Sequence, residues 1–168
     1  MINFENKKVL FIDLDSTLIK TISGKTFPED CSDFRINLKA LNKIKEKLSH
    51  LEYLFIVSNQ SGISKGYIKL EEFEAKFNSI ITFLEYYLPI RFVSGQFCTS
   101  KDPKDIYRKP NIGMLQFELD TFGLTTSKDK ILMIGDASGK EGDFSDSDKK
   151  CAENFGIDYI DVRDFLEL

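Results

Sequence analysis

Two carboxylates one residue apart, Asp13 and Asp15, follow the apolar run Val9-Leu10-Phe11-Ile12. Carboxylates held a few ångströms apart repel, so such a pair needs a shared proton or a divalent cation. Three further groups could do chemistry with it. The run Tyr53-Leu54-Phe55-Ile56-Val57 leads into Ser58-Asn59-Gln60-Ser61-Gly62, a turn able to offer a hydroxyl and backbone N–H groups to an oxyanion. Arg108-Lys109 stands before Pro110, which suits the first turn of a helix and holds the preceding lysine extended. The run Ile131-Leu132-Met133-Ile134 ends in Gly135-Asp136, with Asp143, Asp146 and Asp148 close behind. Each piece alone fits an ordinary solvated turn. What sets them apart is that three of them lie at the ends of strand-like runs.

The elements that must position these residues show in the hydrophobic pattern. Nearly continuous apolar runs at 9–12, 53–57 and 131–134 read as strands covered on both faces, with weaker candidates at 91–97 and 158–160. Between them, Leu38, Leu41, Ile44 and Leu48 make one helical stripe, and Leu70, Phe73, Phe77, Ile80, Ile81, Leu84 and Leu88 a longer one. Two more helices are expected from about Ile112 to Phe122 before Gly123 and from Lys149 to Phe155 before Gly156. Alternation of this kind is the pattern of an α/β domain with a mainly parallel sheet, which binds ligands at the carboxyl ends of its strands. The segment from Thr17 to Arg35, with Gly24 and Pro28, reads as a flap after the first strand.

Composition sets the bounds. A chain of 168 residues, 42% hydrophobic and 30% charged, is expected to form one domain, 1–168. Neither a membrane span nor a signal peptide is legible, so an intracellular protein, cytoplasmic or nuclear, is expected. The net charge of −4 argues against a broad basic coat for nucleic acid, but not against a local grip on a nucleic-acid end. Three scattered cysteines do not make a disulfide scaffold.

In order and spacing, Asp13-x-Asp15-x-Thr17, Ser58, Lys109 and Gly135-Asp136 with Asp148 resemble the haloacid dehalogenase superfamily of phosphotransferases. The resemblance implies a Rossmann-like three-layer sandwich and phosphoryl transfer, which depends on positioning and charge stabilisation. Asp13 is then the expected nucleophile, forming an aspartyl-phosphate, and Asp15 the acid and later the base. Ser58 and Lys109 are expected to hold the phosphoryl oxygens. Mg²⁺ is expected on Asp13, the Asp15 carbonyl and Asp136, with Asp148 or Asp143 as a second acidic partner. Thr17 is expected to fix the loop.

Within the superfamily, the segments Ser23-Gly24-Lys25-Thr26-Phe27-Pro28, Asp33-Phe34-Arg35 and Asp136-Ala137-Ser138-Gly139-Lys140 with Asp143-Phe144-Ser145 are similar to the 3′-phosphatase domains of polynucleotide kinase 3′-phosphatases. That implies DNA 3′-phosphate ends as substrate, with RNA ends open, and a monomer without the 5′-kinase or a phosphopeptide module. Thr17, Lys25, Asn59 and Arg108 are the candidate substrate contacts, and Phe27 or Phe34 could stack on a base. Basic residues expected near the mouth also include Lys20, Arg35, Lys65, Lys101, Lys104 and Lys140. The runner-up is the histidinol-phosphate and heptose-bisphosphate phosphatase branch, many of whose members carry a zinc loop. Only Cys98 stands in that region and the sole histidine, His50, is remote, so no zinc is expected. Ser23-Gly24-Lys25-Thr26 also resembles the end of a P-loop, but its required first glycine is Ile19.

Overall fold

The computed structural model describes residues 2–25 and 28–168. The chain runs β1 (Val9–Ile12), β2 (Ile19–Lys20), β3 (Arg35–Ile36), α1 (Leu38–Lys47), β4 (Tyr53–Asn59), α2 (Ser61–Ser64), α3 (Leu70–Tyr87) and β5 (Phe92–Cys98). It continues with α4 (Gly113–Thr121), β6 (Ile131–Gly135), α5 (Ser147–Phe155), β7 (Asp158–Asp161) and α6 (Val162–Leu166). Five strands form a parallel sheet in the order β5-β4-β1-β6-β7, and β2 pairs antiparallel with β3 as a separate flap.

The period of two along each central strand divides the core into two layers. Leu10 and Ile12 of β1, Leu54 and Ile56 of β4, and Leu132 and Ile134 of β6 face one side, against Leu41, Phe73, Phe77, Leu84 and Phe165. Val9, Phe11, Phe55, Val57, Ile131 and Met133 face the other, against Met114, Leu115, Cys151 and Phe155. Both faces are covered, so the strands are apolar throughout, as the sequence led us to expect. The edge strands β5 and β7 are only half-buried, which is why their runs were weak in the sequence.

Central β1 is also where the sheet reverses direction. The chain passes from β1 to β4 and β5 on one side and later returns to β6 and β7 on the other. A crevice opens at the carboxyl ends at such a switch point. Asp13 follows β1, Ser58 is the second-last residue of β4, and Asp136 follows β6, and all three line the same crevice. Asn37 joins the start of the flap segment to α1: its Oδ1 accepts from Ala40 N (3.3 Å), and its Nδ2 donates to the carbonyl of Thr17 (2.9 Å).

Two helices, α2 and α6, go beyond the sequence expectation. At four and five residues they are too short to show a helical stripe. Among the described residues no helix is long and apolar enough to cross a membrane.

Gly95 lets β5 approach its neighbours. A Cβ there would lie 2.8 Å from the Ile56 carbonyl oxygen and 2.8 Å from the Phe77 ring. Gly95→Ala should therefore destabilise the fold by about 1–3 kcal/mol, read from the urea midpoint at unchanged slope. An unchanged midpoint would contradict this packing.

Candidate functional site

The loop after β1 is set by its backbone. Asp13 N donates to the Ile134 carbonyl (2.9 Å), and the Leu14 carbonyl accepts from Leu18 N and Ile19 N (both 3.0 Å). Ser16 takes a left-handed conformation (φ 60°), which for a side chain with a Cβ costs on the order of 1–3 kcal/mol. Leu14 is fully buried, and Asp13 and Asp15, on either side of it, both line one cavity of about 220 Å³.

At its floor lies Lys109, which is 3% exposed. Its ammonium donates to Asp13 Oδ1 (2.6 Å), to Asp148 Oδ1 (2.6 Å) and to the Val57 carbonyl (2.7 Å). Asn59 clamps the same residue through its main chain: Nδ2 donates to the Lys109 carbonyl and Oδ1 accepts from Lys109 N, both at 2.9 Å. Burial alone would lower the lysine pKa, but the charges of Asp13 and Asp148 outweigh it and hold the ammonium protonated. All three N–H groups of the ammonium are taken. Lys109 therefore orients Asp13 and supplies charge; the expected bond to a phosphoryl oxygen requires one of these partners to be exchanged.

Asp148 is drawn in by Gly135. A Cβ at Gly135 would sit 2.2 Å from Asp148 Oδ2, so only glycine leaves room for this carboxylate. Asp148 Oδ2 also accepts from Ala137 N (3.1 Å). Oxygens of Asp13, Asp136 and Asp148 lie within 4.8 Å of one another. Burial pushes Asp13 well above the usual carboxylate range, with Lys109 opposing. Burial, then the Asp148 charge, pushes Asp136 up to about 6. Three carboxylates against one ammonium leave the cluster with excess negative charge, and its donors are all oxygens. That donor set fits a hard divalent cation.

The remaining candidates divide. Ser58 and Arg108 line the cavity, and Arg108 is steadied by donating from Nη1 to the Ser100 carbonyl (2.9 Å). Asn59 also borders it, but its side chain is committed to Lys109. Thr17 is fully buried, so it belongs to the loop and not to a substrate surface. Lys25 lies on the flap, ion-paired with Glu29 and outside the cavity lining. Phe27 lies outside the described residues, and Phe34 packs against the core. Of the two acidic candidates, one lies beside Asp13 and Asp136. Asp148 joins Asp13 and Asp136, whereas Asp143 pairs with Arg163 (2.8 Å) and accepts from Ser138 N and Lys140 N. The carboxylate of Asp15 is not part of the three-carboxylate cluster. Its Oδ2 accepts from Gln60 Nε2 (2.6 Å), a contact with no signal in the sequence beyond the polar turn itself. Asp33 organises the flap: main-chain N–H groups of Glu29, Ser23 and Ile22 and the Ser23 hydroxyl hold its pKa down at about 2.

The fold is shared with solved phosphatases. The D,D-heptose 1,7-bisphosphate phosphatase of B. bronchiseptica, solved with magnesium and phosphate, superposes with a TM-score of 0.67 over 90% of this chain and 78% of its own, at 16% identity. The sequence model of the polynucleotide kinase 3 phosphatase family matches residues 8–165, and the chain belongs to that family. It is 34% identical over 163 residues to a bifunctional polynucleotide phosphatase/kinase of Schizosaccharomyces pombe, covering 96% of this chain and 38% of the relative. It is 29% identical over 174 residues to the polynucleotide 3′-phosphatase ZDP of Arabidopsis thaliana, covering 96% of this chain and 24% of the relative. The chain thus spans less than half the length of either relative.

Two outcomes follow from the geometry. Lys109→Met leaves Asp13 and Asp148 buried without their counter-charge and should cost about 3–5 kcal/mol of stability in chelator, part of it restored by a divalent cation. A variant as stable as the parent in chelator would contradict the buried pairing. The second concerns pH. Because folding raises Asp136 from 3.8 to about 6, the folded cation-free site binds its proton more tightly than the unfolded chain. This group therefore lowers stability as pH rises through that window. A cation must displace the proton, so its thermal stabilisation should be small near pH 5 and larger near pH 7.5. Equal stabilisation at both would argue against Asp136 as a ligand.

Proposed function

We propose that this chain is a divalent-cation-dependent phosphatase that removes 3′-phosphates from DNA ends through an aspartyl-phosphate on Asp13. The observation that carries the reading is the Asp13 carboxylate, held by the Lys109 ammonium at the foot of an open cavity beside Asp136 and Asp148. A carboxylate fixed in one orientation is a competent nucleophile toward phosphorus. As the Asp13–phosphorus bond forms and the phosphorus–ester oxygen bond breaks, Asp15 gives its proton to the leaving oxygen. Water then cleaves the aspartyl-phosphate, and Asp15 takes the proton back. Ser58 donates its hydroxyl to a phosphoryl oxygen, and Lys109 offsets the developing charge through its placement. Asp13 and Asp136, with Asp148 alongside, would hold Mg²⁺, which supplies charge neutralisation for the phosphoryl group.

The flap supports a polymer end over a small metabolite. The insertion after β1 is a pair of two-residue strands, not a domain-sized cap. Lys20 and Arg35 are register partners there and line a groove of about 480 Å³ that shares Ser16, Asp136 and Phe144 with the main cavity. Two neighbouring cations beside the site can hold a phosphodiester without a basic overall charge. Of the other cations expected at the mouth, Lys140 is ion-paired with Asp164 (2.6 Å).

The test is phosphate release from a 3′-phosphorylated oligonucleotide. Release should require Mg²⁺, stop in EDTA, weaken with rising salt and fall by about 10³-fold or more in Asp13→Asn. Faster turnover of histidinol phosphate or heptose bisphosphate than of the oligonucleotide would overturn the DNA-end assignment. Survival of activity in Asp13→Asn would overturn the nucleophile.

A further inference from the structure

Gln60 is buried, at 7% exposure, and its place is fixed by main-chain bonds. Its N–H donates to the Cys98 carbonyl of β5 (2.7 Å), and its carbonyl accepts from Ile63 N (3.1 Å). From this fixed position the side-chain nitrogen donates twice: to Asp15 Oδ2 (2.6 Å) and to Ser58 Oγ (2.8 Å). An amide nitrogen carries two hydrogens and accepts nothing, so both donors are committed.

We propose that Gln60 is a positioning residue that orients both the Ser58 hydroxyl and the Asp15 carboxylate toward the phosphoryl group. The inference rests on the phosphatase reading above. Because Ser58 Oγ accepts from Gln60, its own O–H is kept for a phosphoryl oxygen. Because Asp15 Oδ2 accepts from Gln60, Oδ1, which has no hydrogen-bond partner among the described residues, is the oxygen left to face the leaving group. In the first half-reaction the Asp13–phosphorus bond forms, the bond from phosphorus to the sugar 3′-oxygen breaks, and that oxygen takes the proton from Asp15 Oδ1. In the second, water adds to phosphorus, the Asp13–phosphorus bond breaks, and the proton of the water passes to Oδ1. A single buried amide thus orients a hydroxyl donor on β4 and an acid in the loop after β1 that line the same cavity.

The experiment compares two leaving groups in Gln60→Met, which keeps the length of the side chain and lacks the donors. A 3′-phosphorylated oligonucleotide expels an alkoxide that needs a proton; p-nitrophenyl phosphate expels an anion that does not. Loss of the Ser58 orientation slows both. Loss of the Asp15 orientation slows expulsion of the alkoxide but not of the aryl anion, while the later hydrolysis of the aspartyl-phosphate is common to both. The rate of leaving-group release in a single turnover should therefore fall about 10- to 100-fold more for the oligonucleotide than for the aryl phosphate. Ser58→Ala, which removes the phosphoryl contact but leaves the Gln60 bond to Asp15, should slow both substrates alike. Each ratio comes from one preparation, so a partly misfolded variant does not alter it. Equal losses on both substrates in Gln60→Met, or no loss, would overturn the inference while leaving the phosphatase reading intact. A parent protein inactive on both substrates would overturn that reading and the inference with it.

Discussion

The rest of the site depends on one buried ammonium. Lys109 carries its charge to the floor of the crevice, where Asp13 and Asp148 hold it at 2.6 Å each. Burying either carboxylate alone would be costly, and burying the lysine alone would strip its proton. Together they are stable, and the pairing explains features otherwise arbitrary. Asn59 grips the Lys109 main chain from β4, so the lysine cannot retreat. Gly135 lacks a side chain because Asp148 occupies its space.

That arrangement is also unfinished in charge. Burial raises Asp13 and Asp136, and the three carboxylates share a single ammonium. A cation bound among them removes the repulsion and lets Asp13 act as an anion toward another anion, the phosphate. Strain at Ser16 and the committed amide of Gln60 belong to the same economy of placement: the groups are held before the substrate arrives.

Much of this was legible in the sequence because the central strands are buried on both faces. Continuous apolar runs at β1, β4 and β6 located the strand ends, and Asp13, Ser58 and Asp136 lie at them. Lys109 was legible from its place before Pro110 in a family pattern. Other roles were not, because they arise from contacts between distant segments. Asn59 reads as a substrate contact until the structure shows it bonded across 50 residues to Lys109. Asp143 and Asp148 are both carboxylates after β6, and only the three-dimensional path of the loop sends one to Arg163 and the other to Lys109. Thr17 and Lys25 sit in the flap segment, but burial removes the first from the cavity and Glu29 engages the second.

The central claim is that this cluster presents Asp13 to phosphorus. It is tested most directly by trapping the covalent adduct. Asp15→Asn can still be phosphorylated by an aryl phosphate, whose leaving group needs no acid, but lacks the base that activates the hydrolytic water. Rapid acid quench followed by peptide mass measurement should find one phosphate on the peptide carrying Asp13, removable by hydroxylamine. Release of the aryl group with no phosphate on that peptide, or with phosphate on a different residue, would contradict the account.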